Sequence, residues 1–521
     1  MSNGVPLPGI EHVIVLMLEN RSFDNVLGGL YPDLTKQKRY RGLLGTETNP
    51  LDPSGGGGSV GVFQGPPGLS TWTMPYPDPG ELYTDMVEQL FGSTNVPPGG
   101  GPATMSGFAW NYKQQKSSPD GVAPVAKNIM QYYSDQTLGF SFALAKHYAV
   151  CDCWFASGPV QTLANRIFAH CGTPSKLPNE NKSRMNNPDY APAWDDPGPT
   201  VSDTTIFQLL DEAYPDGQAP VCSDFDGGSP GPLNWKVYYH DAPLSALCDY
   251  VYNNWCYDSL YGGNVWGFEP SVTDPGFAYD VANGLLPKYS FIEPCYTDQF
   301  GSSPNSNHPG GAGIDWDDPN GQSLPPPIDV RDGEALLYKV YETLSQYPEV
   351  FDKTLLIVTY DEHGGTYDHV PPPPPPLPPP AISPFQEPVE NFNYDRYGVR
   401  VPAIFVNPRI KYGTIYPPRS PGSDIPYPPF DHTSILSTLI AQFGLSGSLS
   451  PRVDVAPQLV GLITPGLVAQ ERPPLVAPPA PPPQPLRVPR KQPRHLPQAH
   501  TLAGALGPLY QRIQGSRRFR R

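Results

Sequence analysis

The chain has 521 residues with 34 Lys and Arg against 50 Asp and Glu, and this acidic balance excludes nucleic acid as the main partner of the folded body. Gly and Pro together supply 123 residues, yet an aromatic share of 11% points to a folded protein with long, Pro-studded loops rather than to disorder. The length suits one large α/β core with insertions, no stretch approaches the roughly 20 apolar residues of a membrane helix, and seven cysteines are too few for a disulfide scaffold, their odd number leaving at least one free.

In chain order, Val13–Leu18 is a continuous apolar run that predicts a buried strand, and it ends in Glu19-Asn20-Arg21-Ser22-Phe23-Asp24. No basic region followed by an apolar run precedes it, so the expected location is cytoplasmic by default. Residues 50–66 and 95–107 are Gly/Pro/Ser-rich and 183–203 is polar with several prolines, which reads as surface excursions. Gly158–Arg166 leads into an apparent helix over Arg166–His170, with Thr162 just ahead of it. Tyr289–Ile292 predicts a second strand, 333–344 an amphipathic helix, Leu355–Tyr360 a third strand and Pro402–Val406 a fourth. Apolar runs without alternation suit strands covered on both faces, so the fold class is α/β with a mostly parallel central sheet flanked by helices and carrying long loop insertions.

The third strand ends in Asp361-Glu362-His363-Gly364-Gly365-Thr366-Tyr367-Asp368-His369. Nine prolines within Pro371–Pro380 follow, a polyproline II segment read as a stiff lip to this polar cluster. From 471 onward the chain is Pro-rich and then basic; residues 472–521 hold ten Lys and Arg and no acid, leaving the first 471 residues at −26. The catalytic domain is therefore placed at 1–470 and an extended or disordered tail at 471–521. Such a tail suits solvation first and membrane-surface contact second.

In parallel α/β sheets the ligand crevice lies at the carboxyl ends of the strands. Should the two strands be near neighbours, Glu19, Asn20, Asp361 and Glu362 bring three carboxylates and an amide oxygen together, and protonation or a bound cation relieves the repulsion. All-oxygen ligation favours Mg, Ca or Mn. Thr162 supplies a hydroxyl at a helix start, where metal coordination activates a nucleophile and helix N–H groups receive phosphoryl oxygens. Taken alone, that residue is an ordinary N-cap. A leaving group needs a proton source; among ten histidines, His308, His369 and His432 rank above His363, and His12, His147, His170 and His240 are read as core or surface.

These motifs resemble the bacterial phosphoesterase family that includes phosphatidylcholine-type phospholipase C and related acid phosphatases, in the alkaline-phosphatase-like superfamily. The resemblance runs from Glu19–Asn25 through Leu144–Asp152, Asn165-Arg166, Phe291–Pro294, His308-Pro309, Tyr360–Pro372 and Arg400–Ala403 to Asp431–Ser434, spanning about 10–445. It implies an alkaline-phosphatase-like fold, a metal site of Glu19, Asn20, Thr162, Asp361 and Glu362, Thr162 as nucleophile, and His308, His369 and His432 around the phosphoryl group. It also implies a phosphate-ester substrate, phospholipid included, and relatives that are often secreted. One departure concerns Thr162-Leu163-Ala164-Asn165-Arg166, where the family carries Thr-x-Pro-Asn-Arg, so the turn presenting Thr162 loses its proline. Rival readings are an acid phosphatase acting on monoesters and a non-catalytic metal-binding or interaction protein; a sulfatase-like hydrolase lacks its Cys/Ser-x-Pro-x-Arg motif here.

Overall fold

The computed structural model describes residues 4–32, 39–95, 101–118, 121–175, 184–190, 199–219, 232–255, 264–268, 276–296, 303–310, 327–374, 392, 394–420, 424–467, 472 and 475–479. At its centre is an eight-stranded sheet. In chain order the strands are β1 His12–Leu18, β2 Ala149–Cys151, β3 Trp235–Tyr239, β4 Val265–Gly267, β5 Tyr289–Glu293, β6 Thr354–Tyr360, β7 Ala403–Val406 and β8 Thr414–Tyr416. Their order across the sheet is β8-β2-β7-β6-β1-β5-β3-β4. Five of the seven pairings are parallel, and β7 runs antiparallel to both its neighbours.

β1 lies in the middle because six of its seven residues are apolar and buried, which only a strand covered on both faces accommodates. It pairs with β6 in register, Leu18 opposite Tyr360, so both chains leave the sheet at the same edge and Glu19 emerges beside Asp361. The strands predicted at Val13–Leu18, Tyr289–Ile292, Leu355–Tyr360 and Pro402–Val406 are present with ends moved by a residue. Strands β2, β3, β4 and β8 were not legible, since runs of three to five residues carry too little periodicity.

Helices α1 Phe23–Leu27, α2 Gly139–His147, α3 Thr162–Cys171, α4 Val330–Ser345 and α5 Thr433–Phe443 are the ones that bear on the site. The helix predicted at 333–344 is α4, extended to Asp329, whose side chain caps it at the N–H of Arg331. Its buried face carries Val330, Leu337, Val340 and Leu344 together with Glu334. Glu334 accepts the N–H groups of Phe140 (2.8 Å) and Ser141 (3.1 Å) in the first turn of α2, replacing partners that a helix start lacks. Glu334→Ala strands three buried donors, these two N–H groups and the Ser141 hydroxyl, and is expected to cost about 2–3 kcal/mol, read as a lower urea midpoint at unchanged slope.

The segment read as a surface excursion at 50–66 is more ordered than that. Thr48–Pro50 and Ser59–Gly61 form an antiparallel pair, and Phe63–Gln64 pairs with Gln131–Tyr132. Leu43, Leu90, Met105, Phe108, Tyr112 and Met130 make a second apolar cluster against Tyr367 and Val399, which places this lobe over the loop that follows β6. The reason is hydrophobic: these side chains are spread through a Gly- and Pro-rich stretch and show no periodicity until they are packed. Cys151, Cys153, Cys171 and Cys248 are free and buried, and Cys295 is buried as well. Among the described residues no helix is long and apolar enough to cross a membrane. Cys222, Cys256, most of the polyproline segment (375–380) and the basic tail from 480 lie outside the described residues.

Candidate active site

Asn20 leaves β1 in the left-handed region, at φ +57°, where Asn is among the few side chains tolerated. Its N–H donates to Asp361 Oδ1 at 3.1 Å, and the N–H of Glu362 donates to the same oxygen at 2.7 Å. The turn after Glu362 needs its two glycines because the protein's own backbone fills the space beside them. A Cβ on Gly364 (φ +55°) would lie 2.1 Å from the carbonyl oxygen of Asn20, and one on Gly365 (φ +63°) 2.7 Å from Cβ of Pro79. The close approaches at these two glycines are thus made by Asn20 and by the loop around Pro79.

Thr162 is the first residue of the ten-residue α3, fully buried, and its hydroxyl donates to Asn20 Oδ1 at 3.3 Å. The turn that presents it lacks the proline but is braced by Asn165. That side chain accepts the N–H of Gly158 (3.1 Å) and donates to the carbonyls of Val160 (2.7 Å) and Gly158 (3.3 Å). The helix start is less open as an anion cradle than its sequence suggests, because the N–H of Leu163 is already taken by Asn187 Oδ1 at 3.0 Å.

One helical turn beyond Thr162, Arg166 faces the same edge of the sheet. Its Nε lies 3.0 Å from Asp361 Oδ2 and its guanidinium 3.9 Å from Glu19 Oε1, so it bridges the two acids that end β1 and begin the loop after β6. This residue was not assigned a role from sequence, although the four-residue spacing from Thr162 was visible. Arg166 also explains a departure from expectation. Two other groups of three ligand-type side chains have their ligand atoms within 4.8 Å of one another among the described residues, Asp24-Asp368-His369 and Asp78-Glu81-His308, whereas Glu19, Asp361 and Glu362 do not close to that spacing.

The residues nonetheless fit a hard divalent cation. Glu19 Oε1 and Glu362 Oε1 are buried carboxylate oxygens without a hydrogen-bond partner. Burial pushes Glu19 up to about 8 and raises Asp361 and Glu362, with Arg166 opposing the first two shifts and Glu81 reinforcing the third. Glu19 and Asp361 share the Arg166 guanidinium, Glu362 stands beside them, and a bound cation would favour the ionised forms of all three. Every candidate ligand atom is oxygen.

The histidines separate by their partners. His308 Nδ1 is 2.5 Å from the carbonyl of Pro309 and its Nε2 3.6 Å from Glu81 Oε2, with the Asp78 carboxylate 3.8 Å from Nδ1. Burial alone would lower this imidazole, but the carboxylates of Glu81 and Asp78 outweigh it and raise it well above its ordinary value. His369 is partly exposed, and its Nδ1 sits 2.6 Å from Asp24 Oδ2. Arg400 ties that pair down, with Nε 3.0 Å from Asp368 and a terminal nitrogen 3.0 Å from Asp24. The cluster Asp24-Asp368-His369 thus already holds its own cation and presents the other ring nitrogen of His369 as the variable group.

His432 differs from the expectation that it surrounds a phosphoryl group. Its Nε2 is 2.7 Å from the carbonyl oxygen of Asp361 and its Nδ1 accepts from Trp154 Nε1 at 3.4 Å, so both ring nitrogens are engaged by the protein. Burial lowers it to about 4, and the neutral ring holds the backbone of Asp361 in place. His363 lies behind Glu362, bonded to Gln89 Oε1 at 2.8 Å. Sequence reasoning gave no role to Asp24, Asp78, Glu81, Arg166 and Arg400; Asp24, Arg166 and Arg400 lie within motifs already singled out, whereas Asp78 and Glu81 are brought in from a separate segment by tertiary packing.

A model described as the Phosphoesterase family matches residues 10–216 and 233–446. The chain belongs to the phosphoesterase family and is a hydrolase acting on phosphate esters. It is 29% identical over 477 residues to non-specific phospholipase C4 of Arabidopsis thaliana, covering 89% of this chain and 73% of that protein. It is 30% identical over 450 residues to non-specific phospholipase C1 of the same plant (85% and 69% covered) and 29% identical over 473 residues to phospholipase C B of Mycobacterium tuberculosis (84% and 75%). Among solved structures, a protein in the alkaline phosphatase superfamily from Vibrio parahaemolyticus is similar over 61% of this chain and 64% of its own, at 14% identity and a TM-score of 0.29.

Proposed function

We propose that the chain is a phospholipase C-type phosphodiesterase that cleaves a phospholipid through attack by Thr162. The observation that carries this reading is the Thr162 hydroxyl, buried at the start of α3 and bonded to Asn20 beside the Asp361-Glu362 pair. Glu19, Asn20, Thr162, Asp361 and Glu362 would hold a divalent cation of the Mg, Ca or Mn type, which when bound lowers the pKa of a hydroxyl and balances phosphoryl charge. The Thr162 hydroxyl gives up its proton to water and its oxygen attacks phosphorus in line, the bond between phosphorus and the diacylglycerol oxygen breaks, and the departing alcohol takes a proton. His308, held as an imidazolium by Glu81 and Asp78, or His369, oriented by Asp24, supplies it. Arg166 steadies Asp361 through this change of charge. Water then releases the phosphorylated headgroup from Thr162. His432 is left out of the proton transfer because its buried ring is neutral, bonded to the Asp361 carbonyl at one nitrogen and accepting from Trp154 at the other, and has no proton to give up.

The relatives support the diester over the monoester, since those compared are called phospholipases C. Comparing phosphatidylcholine vesicles with a nitrophenyl monoester under one cation tests this; hydrolysis of the monoester alone overturns it. Chelation is expected to abolish turnover, and Mn2+, Mg2+ or Ca2+ to restore it. Full activity after exhaustive chelation would remove the cation from the reading.

A further inference from the structure

Residues 78–81, Asp-Pro-Gly-Glu, form a loop ahead of the helix Tyr83–Phe91, and nothing in the reaction above gives its last residue more than a charge. The loop is anchored on two sides. It packs on Gly365, where an added Cβ would meet Cβ of Pro79 at 2.7 Å and the carbonyl oxygen of Gly80 at 2.9 Å. The side chain of Gln89 then donates to that Gly80 carbonyl at 2.7 Å while its own oxygen meets His363 at 2.8 Å. The loop is thereby tied to the segment that carries Asp361 and Glu362.

Within this frame Glu81 is 8% exposed and reaches two groups of the site at once. Oε1 accepts the Nδ2 of Asn20 at 2.8 Å, and Oε2 lies 3.6 Å from Nε2 of His308. Glu81 Oε1 is the acceptor of that bond, so the NH2 end of the Asn20 amide faces Glu81 and its oxygen faces the Thr162 hydroxyl. A reversed amide would set oxygen against oxygen at Glu81 and an NH2 group where the hydroxyl proton and a cation require an acceptor.

We propose that Glu81 is a positioning residue for phosphoryl transfer, one carboxylate that turns the Asn20 amide oxygen toward Thr162 and holds His308 facing the same centre. The inference rests on the assignment of Thr162 and Asn20 above. It predicts an effect on the chemical step more than on substrate capture, because Glu81 acts through Asn20 and His308.

The test compares wild type, Glu81→Ala and Glu81→Gln on phosphatidylcholine vesicles at saturating cation, with thermal midpoints confirming that each variant is folded. Glu81→Ala is expected to lower kcat by about 100-fold with KM within about 3-fold. Glu81→Gln keeps an oxygen able to accept from Asn20 and is expected to recover about 10-fold of that loss. Calorimetric titration of the chelated proteins with Mn2+ gives a readout free of turnover, with affinity falling in the order wild type, Glu81→Gln, Glu81→Ala. Equal kcat in the two variants, a change confined to KM, or Mn2+ affinities that do not follow this order overturns the proposal. If wild type hydrolyses no diester, the phospholipase reading falls, while the Mn2+ series still decides the orientation of Asn20.

Discussion

Thr162→Ala is expected to abolish release of diacylglycerol from phosphatidylcholine vesicles, a loss of at least about 1000-fold in kcat, while Thr162→Ser retains measurable turnover. The hydroxyl is the only reactive atom the substitution removes, and Thr162 sits at the first position of α3, where Ala is well tolerated. The variant should therefore remain folded, and its Mn2+ affinity should weaken rather than vanish, because Asn20 and the carboxylates are untouched. Rapid quench of wild type with a labelled headgroup should trap phosphate on Thr162, and Thr162→Ala should trap none. Turnover in Thr162→Ala within about 10-fold of wild type would transfer the nucleophile to another group.

Gly364→Ala carries the second large effect, although Gly364 itself bears no functional group. The added methyl would lie 2.1 Å from the carbonyl oxygen and 2.8 Å from Cβ of Asn20, and φ at +55° already disfavours any residue with a Cβ. Relief requires moving Asn20, which disturbs its bonds to Asp361 and Glu81, or moving the turn, which disturbs the 2.7 Å bond from the Gly364 N–H to Glu362 Oε2. A loss of about 2–3 kcal/mol in stability is expected by urea titration, together with a fall in kcat of about 100-fold or more. A variant that unfolds at the wild-type midpoint and turns over normally would show that Asn20 is not held against this turn.

How far the sequence reached can be judged residue by residue. Val13–Leu18 and Leu355–Tyr360 announced themselves as doubly covered strands because their runs of six and four consecutive apolar residues show no polar alternation. That Glu19-Asn20 and Asp361-Glu362 leave such strands was therefore visible, and so was a hydroxyl at the head of a helix. What stayed hidden was the partner of each. Glu81 lies among prolines and glycines with no periodic pattern around it, yet it bonds to Asn20 across 61 positions of chain. Arg400 follows a stretch without signal and neutralises Asp24 and Asp368 from its own strand end. His432 looked like a proton donor because of its polar neighbours, and only its contacts with Trp154 and the Asp361 carbonyl show a ring engaged at both nitrogens.

The sequence by itself determined the class of fold and the two acidic strand ends, because these follow from local apolar runs and from the residues that terminate them. Tertiary structure decided that β1 and β6 are neighbours in register, that Arg166 rather than open space lies beside Glu19 and Asp361, and that Glu81 sets the face of the Asn20 amide. The physical reason is that hydrophobic periodicity is written along the chain, whereas the direction of a hydrogen bond and the pairing of a buried charge depend on atoms that meet only after the chain has closed.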